Sequence, residues 1–125
     1  MRSILKNRRR NFNYYPTLKI NTTIYPVSEI KQKKPLFLVI ERVYFDQILS
    51  GKKLEEYRDN SQFYKSRFCH YDKKTGEIES YKNYDQLILQ EGYHTNARRI
   101  TIEVKKIELE EIYTISLGDI LEKNF

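Results

Sequence analysis

Lys53, Glu56 and Arg58 lie within one octapeptide, Gly51-Lys52-Lys53-Leu54-Glu55-Glu56-Tyr57-Arg58, and are the residues of this chain best suited to chemistry. Read as a strand from Leu54, the stretch has period two. Leu54, Glu56 and Arg58 then share one face, and Glu55 and Tyr57 share the other. A glutamate and an arginine so placed share a ligand or pair with each other, and Lys53 at the turn closes the same site from its edge. Where such a lysine and glutamate are partly buried, the ammonium lowers the carboxyl pKa and leaves a carboxylate able to act as a general base. The competing reading is a solvated strand whose charges neutralise one another, because exposed ion pairs are common and contribute little.

The flanking pattern supplies the elements that position this stretch. Arg42 to Ser50 reads as a short helix, with Tyr44/Ile48 and Phe45/Leu49 at i,i+4 forming an apolar stripe. Gly51 suits a left-handed C-cap, with lysines beside the negative helix end. Leu36 to Ile40 is a continuous apolar run, as expected of a strand buried on both faces, barrel interior on one and helix on the other. Asp59-Asn60-Ser61 is a turn and N-cap region for a second helix through Phe68. Cys69 to Asn83 is polar and tyrosine-rich, with a turn at Lys73-Lys74-Thr75-Gly76, and reads as an excursion or hairpin over one end of a barrel.

Leu87-Ile88-Leu89 is the centre of a strand ended by Gly92. Ile100, Ile102 and Val104 share one parity while Ile107 and Leu109 share the other, so the register flips across Lys105-Lys106. A bulge there bends a strand as a small barrel's corner requires. Tyr113, Ile115 and Leu117 alternate in a last strand, and Asp119 to Asn124 forms at most one helical turn. The expected core is Leu36, Leu38, Ile40, Ile48, Leu87, Leu89, Ile102 and Val104. The fold class is α+β, mainly β: a small barrel of about five or six strands with one or two short helices, behind a basic N-terminal arm.

The spacing Gly51-x-Lys53-x-x-Glu56-x-Arg58, following a strand and the helix-like Tyr-Phe-Asp-Gln-Ile-Leu-Ser, resembles the signature of the ASCH domain family, part of the PUA-like superfamily of small β-barrels. Tyr84 to Tyr93, Ile102 to Ile107 and Tyr113 to Leu121 resemble later strands of that family, so the likeness spans about residues 35 to 121. It implies a PUA-like barrel over residues 35–125 that holds RNA or a nucleotide-like ligand in a cleft near the motif. Lys53, Glu56, Arg58, Tyr57 and Tyr93 are the residues expected to contact it. A few members are enzymes, amidohydrolases acting on acetylated cytidine or ribonucleases. The amidohydrolases place a nucleophilic threonine three residues after the motif lysine, where this chain has Glu56. That departure leaves Lys53 and Glu56 as the only catalytic candidates of a small nucleotide-directed hydrolase, the alternative function.

Charge divides the chain at residue 34. Residues 1–34 hold nine Lys/Arg against Glu29 alone, a balance of +8, whereas the remainder carries −2. The arm, with Arg8, Arg9 and Arg10 at its centre and tyrosines interleaved, suits phosphate-backbone binding through counterion release and base stacking. The alternative is a solubilising tail. Leu18, Ile20 and Thr22 alternate as in a short edge strand.

Other classes find no constellation. Gly51-Lys52 lacks the upstream glycine and following Ser/Thr of a phosphate-binding loop. Cys69-His70 with His94 makes a poor zinc set, and no Gly-x-Ser-x-Gly elbow occurs. No metal and no cofactor are expected. The lone cysteine fits a reducing cytosol, and the longest apolar run is too short for a bilayer. The basic N-terminus has no apolar stretch behind it, so no secretory signal is expected, and the Asn21-Thr22-Thr23 sequon then carries no sugar. The expected setting is cytoplasmic, away from membranes, with no protein partner specified.

Overall fold

The computed structural model describes residues 24–125. Ten elements follow one another: β1 (Val27–Lys31), β2 (Leu36–Ile40), α1 (Arg42–Leu49), β3 (Glu55–Arg58), α2 (Gln62–Phe68), β4 (Cys69–Tyr71), β5 (Ile78–Asn83), β6 (Gln86–Glu91), β7 (Arg99–Leu109) and β8 (Tyr113–Lys123). Five of the strands form the main sheet in the order β2-β6-β7-β8-β3, curled into a half-barrel. Its pairs are antiparallel except β2–β6, which is parallel. The mainly β composition, the two helices and a five-stranded curled sheet agree with expectation, but the sheet is a half-barrel and the described residues hold eight strands in all. The other three strands form a second sheet, β1-β5-β4, in which the hairpin expected over residues 69–83 is joined by β1, a strand that sequence reading does not anticipate. The basic Arg8, Arg9 and Arg10 and the edge strand expected at Leu18 to Thr22 lie outside the described residues. Among the described residues no helix is long and apolar enough to cross a membrane.

All eight expected core residues are buried, joined by Phe45, Phe68, Ile100, Ile107, Leu109, Tyr113 and Ile115. The helix stripe is half realised: Phe45 and Ile48 face the core and Tyr44 stays exposed. Leu36 to Ile40 is not covered on both faces. Leu36, Leu38 and Ile40 are buried while Phe37 and Val39 are only half-covered, the alternation of a strand with one face on the core.

The chain between Cys69 and Asn83 forms the hairpin β4–β5, turned by Asp72, whose carboxylate accepts from the Lys74 amide. It anchors to the main sheet through Tyr81, whose hydroxyl accepts from the Leu109 amide, and through Cys69 Sγ, 3.6 Å from the Tyr113 hydroxyl. Burial pushes the Cys69 thiol and the Tyr113 phenol up, so both stay neutral in the core.

The parity flip in β7 is a bulge. Val104 pairs with Leu117 and Lys106 with Ser116, which leaves Lys105 as the extra residue of the ladder. Beyond Gly118 the chain does not turn helical: β8 continues to Lys123. The continuation is held by pairing with β7, Ile100 opposite Lys123 and Thr101 opposite Glu122, and Gly118 faces the Glu103 side chain across the ladder.

Candidate functional site

The site begins at the end of α1. The Ser50 and Gly51 amides donate to carbonyls of the last helical turn, and Gly51 adopts φ +82°, which favours glycine. The Lys52 and Lys53 amides both donate to the Gln47 carbonyl. The turn thereby delivers Lys53 to the start of β3, the second edge of the main sheet.

Strand alternation then does what its spacing predicts. Glu56 and Arg58 point inward; Glu55 and Tyr57 point outward. Glu56 is buried, with a side chain 9% exposed. Its Oε2 accepts from Arg58 Nη2 at 2.7 Å and Nε at 3.1 Å. Its Oε1 lies 3.5 Å from Lys53 Nζ, whose side chain is itself only 16% exposed. Both oxygens of the carboxylate are therefore occupied by cations. Leu54, expected on the same face, precedes β3 and is largely exposed.

Arg58 reaches further than its pairing partner. Nη2 also donates to the Val39 carbonyl of β2 at 2.9 Å, and Nη1 to the Tyr64 hydroxyl of α2 at 2.9 Å. β2 and β3 are the two edges of the curled sheet, so one guanidinium spans the gap between them. Burial pulls the Arg58 pKa down, and the hydrogen bonds to Tyr64 and Glu56 more than offset this, so the net direction is up and the group stays charged. Tyr64 in turn stacks on Phe68, and Phe68 packs on Tyr113, which carries the cluster into the core.

The outward face of β3 borders an open groove of roughly 620 Å³, lined among others by Lys52, Lys53, Tyr57, Lys105 and Ser116. Lys53 Nζ lies 4.6 Å from the Tyr57 ring centre and 5.6 Å from that of Tyr44. The Tyr57 hydroxyl donates to Glu55 at 2.7 Å. Burial, and next that bond to a carboxylate, push its pKa up to about 12.

Tyr93 does not join this cluster. It stands almost fully exposed on the loop between β6 and β7. That loop instead frames a second buried acid that sequence reading misses, Glu91. Arg98 donates to it at 2.6 and 3.2 Å, Arg42 donates at 3.0 Å, and His94 Nε2 lies 3.6 Å away. Arg98 also bonds Asp46 of α1 at 2.7 Å. The Arg98 hydrogen bonds, opposed by burial and helped by Arg42, hold the Glu91 carboxyl down at about 2. The sequence signal for it is weak: Glu91 continues the parity of Leu87 and Leu89, an acid on a core-facing position. Among the described residues no three of His, Cys, Asp and Glu come together to hold a metal.

Comparison with known proteins finds no matching family model, no matching curated protein and no matching solved structure.

Proposed function

We propose that this protein binds RNA or a nucleotide-like ligand at the β3 edge, as an ASCH-type module of the PUA-like superfamily. One observation carries the reading: Lys53, Glu56 and Arg58 converge on a single cluster, two cations on one carboxylate, and Lys53 of that cluster also lines an open groove. The cluster keeps a surplus positive charge, and Lys52 and Lys105 add two more beside it. A phosphate finds attraction there that the rest of the domain, net negative over residues 35–125, does not offer. The curled, mainly β sheet is compatible with the small barrels that the motif resembles.

No observation favours the hydrolase alternative. Glu56 is buried with each oxygen beside a cation, so it is poorly placed to take a proton from water. Purified protein is expected to release no acetate from acetylated cytidine; turnover abolished by Lys53→Ala reverses this conclusion.

The binding reading is tested by titrating labelled single-stranded RNA at several salt concentrations. Residues 1–23 hold six Lys/Arg and no acid. Removing them spares β1, and is expected to weaken binding and flatten its salt dependence, by about 0.7 in log–log slope for each phosphate no longer neutralised. Lys53→Ala is expected to weaken binding by about tenfold while changing the slope by no more than a single phosphate's share. If the full chain binds neither RNA nor any nucleotide, the reading fails.

A further inference from the structure

We infer that the groove on the outward face of β3 is a single-nucleotide site, in which Tyr57 stacks a base and Lys52 and Lys105 hold its phosphate. The inference rests on the binding reading above and names residues and a ligand unit for it.

Three independent features meet in this groove. The first is the bulge in β7. A regular ladder turns alternate side chains to the core, but the register between Val104 and Lys106 leaves Lys105 unmatched. Lys105 keeps the outward parity of Thr101 and Glu103 and lines the groove beside Ser116, and the bulge lets Lys106 share that outward face while Val104 and Ile107 both remain buried. Lys105 has no ion pair with any described residue, in contrast to Lys106, which sits 3.6 Å from Glu108. The second is the turn after α1, which fixes the backbone of Lys52 through its amide bond to Gln47 and leaves the side chain exposed at the groove wall.

The third is Tyr57. It is 47% exposed on a short edge strand, where β-branched and aromatic residues usually gain by covering a neighbour. Its hydroxyl donates to Glu55, and Lys53 Nζ lies 4.6 Å from its ring centre. An exposed ring next to cations is the arrangement with which single-stranded nucleic acids are bound, because every base has a π-face and every unit a phosphate. The groove's volume falls within the range of small-ligand sites. Its lysines outnumber its one acid, Glu55, whose carboxylate is partly occupied by the Tyr57 hydroxyl.

This site lies on the opposite face of β3 from Glu56 and Arg58. Those two side chains shape and close the sheet; the ligand contacts are assigned to the outer face.

The test uses the full chain and three probes, adenosine 5′-monophosphate, adenosine and inorganic phosphate, followed by NMR chemical-shift titration. The mononucleotide is expected to bind more tightly than either fragment and to shift the groove amides. Lys105→Ala and Lys52→Ala should each weaken it by about tenfold, with the adenosine response unchanged. Tyr57→Leu should weaken mononucleotide and adenosine by about 5- to 100-fold and leave phosphate unaffected. Tyr57→Phe, which keeps the ring and loses the Glu55 bond, should restore most of the affinity. All of these positions are exposed or groove-lining, and an unchanged circular dichroism spectrum verifies the fold of each variant. If labelled single-stranded RNA binds but the mononucleotide does not, or if these substitutions leave mononucleotide binding unchanged, the site is overturned and the broader reading survives. If neither RNA nor mononucleotide binds, both fall.

Discussion

Glu56 and Glu91 are the two buried acids of the described residues, and each is held by cations, yet they serve the molecule differently. Around Glu56 the cations are themselves shielded: the Lys53 and Arg58 side chains are 16% and 14% exposed. Around Glu91 they reach into solvent, with Arg98 at 29% and Arg42 at 72%. The Glu91 group also contains Asp46, so its two arginines meet two acids and the charge cancels. It ties α1 to the end of β6 and leaves nothing for a ligand. The Glu56 group has two cations for one acid, and its surplus sits next to a groove. Burial of a carboxylate alone therefore does not mark a binding site. The charge left over after pairing, and whether open space adjoins it, separates the two.

The largest expected effect comes from Arg58→Ala. It strands Glu56 with Lys53 as its remaining cation and leaves the Val39 carbonyl and the Tyr64 hydroxyl without their donor. Removing one partner of a buried ion pair costs about 3–5 kcal/mol, and that loss should appear in urea denaturation. Replacing both members by apolar residues, Arg58→Met with Glu56→Leu, should recover much of it, since the desolvated charge then disappears with its partner. A loss below about 1 kcal/mol for Arg58→Ala would mean that the two glutamates do not differ in shielding as described, because exposed pairs contribute at that level.

Glu91 should dominate a different experiment. Its carboxyl titrates near 2 when folded and near 4.5 as the free side chain, so the unfolded chain binds the extra proton in that interval. The stabilisation it supplies is complete above about pH 4.5 and is lost as pH falls through 2. Acid denaturation of Glu91→Gln should be flatter than wild type across this window, with lower stability at neutral pH. An identical acid profile in wild type and variant would remove the contrast drawn with Glu56.

The smallest effect concerns the outer face. Tyr57 has a folded pKa of about 12, above its ordinary value of 10, so the neutral phenol is favoured. Any stability it contributes is present below pH 10 and lost as pH rises through 12. An absorbance titration should show one fewer late-ionising tyrosine in Tyr57→Phe, with the denaturation midpoint at neutral pH almost unmoved. A large destabilisation would mean that the Tyr57 ring is part of the packing and not a free surface for a base.

Local geometry was legible in the order of the residues. Period two in β3 separated Glu56 and Arg58 from Tyr57, the Gly51 position ended α1, Ser61 capped α2 through the Tyr64 amide, and the parity change placed the bulge at Lys105. These are short-range matters, set by alternation, chirality and the hydrogen bonds a few residues can make. Much of the core was legible too, because apolar parity shows which face leaves water.

What those side chains meet was settled by the folded chain alone. Arg58 finds Val39 and Tyr64 because curling the sheet brings its two edge strands together, a closure no local pattern encodes. Glu91 gains Arg42 from α1 and both His94 and Arg98 from the loop after β6, two segments that converge where parallel β2 and β6 end. Strand β1 was hidden within the basic stretch since its partner, β5, lies some fifty residues on, and β8 outran its glycine because it pairs with β7 as far as Lys123. Pairing across such separations depends on which surfaces remain to be covered once the core has formed, and that is a property of the whole chain.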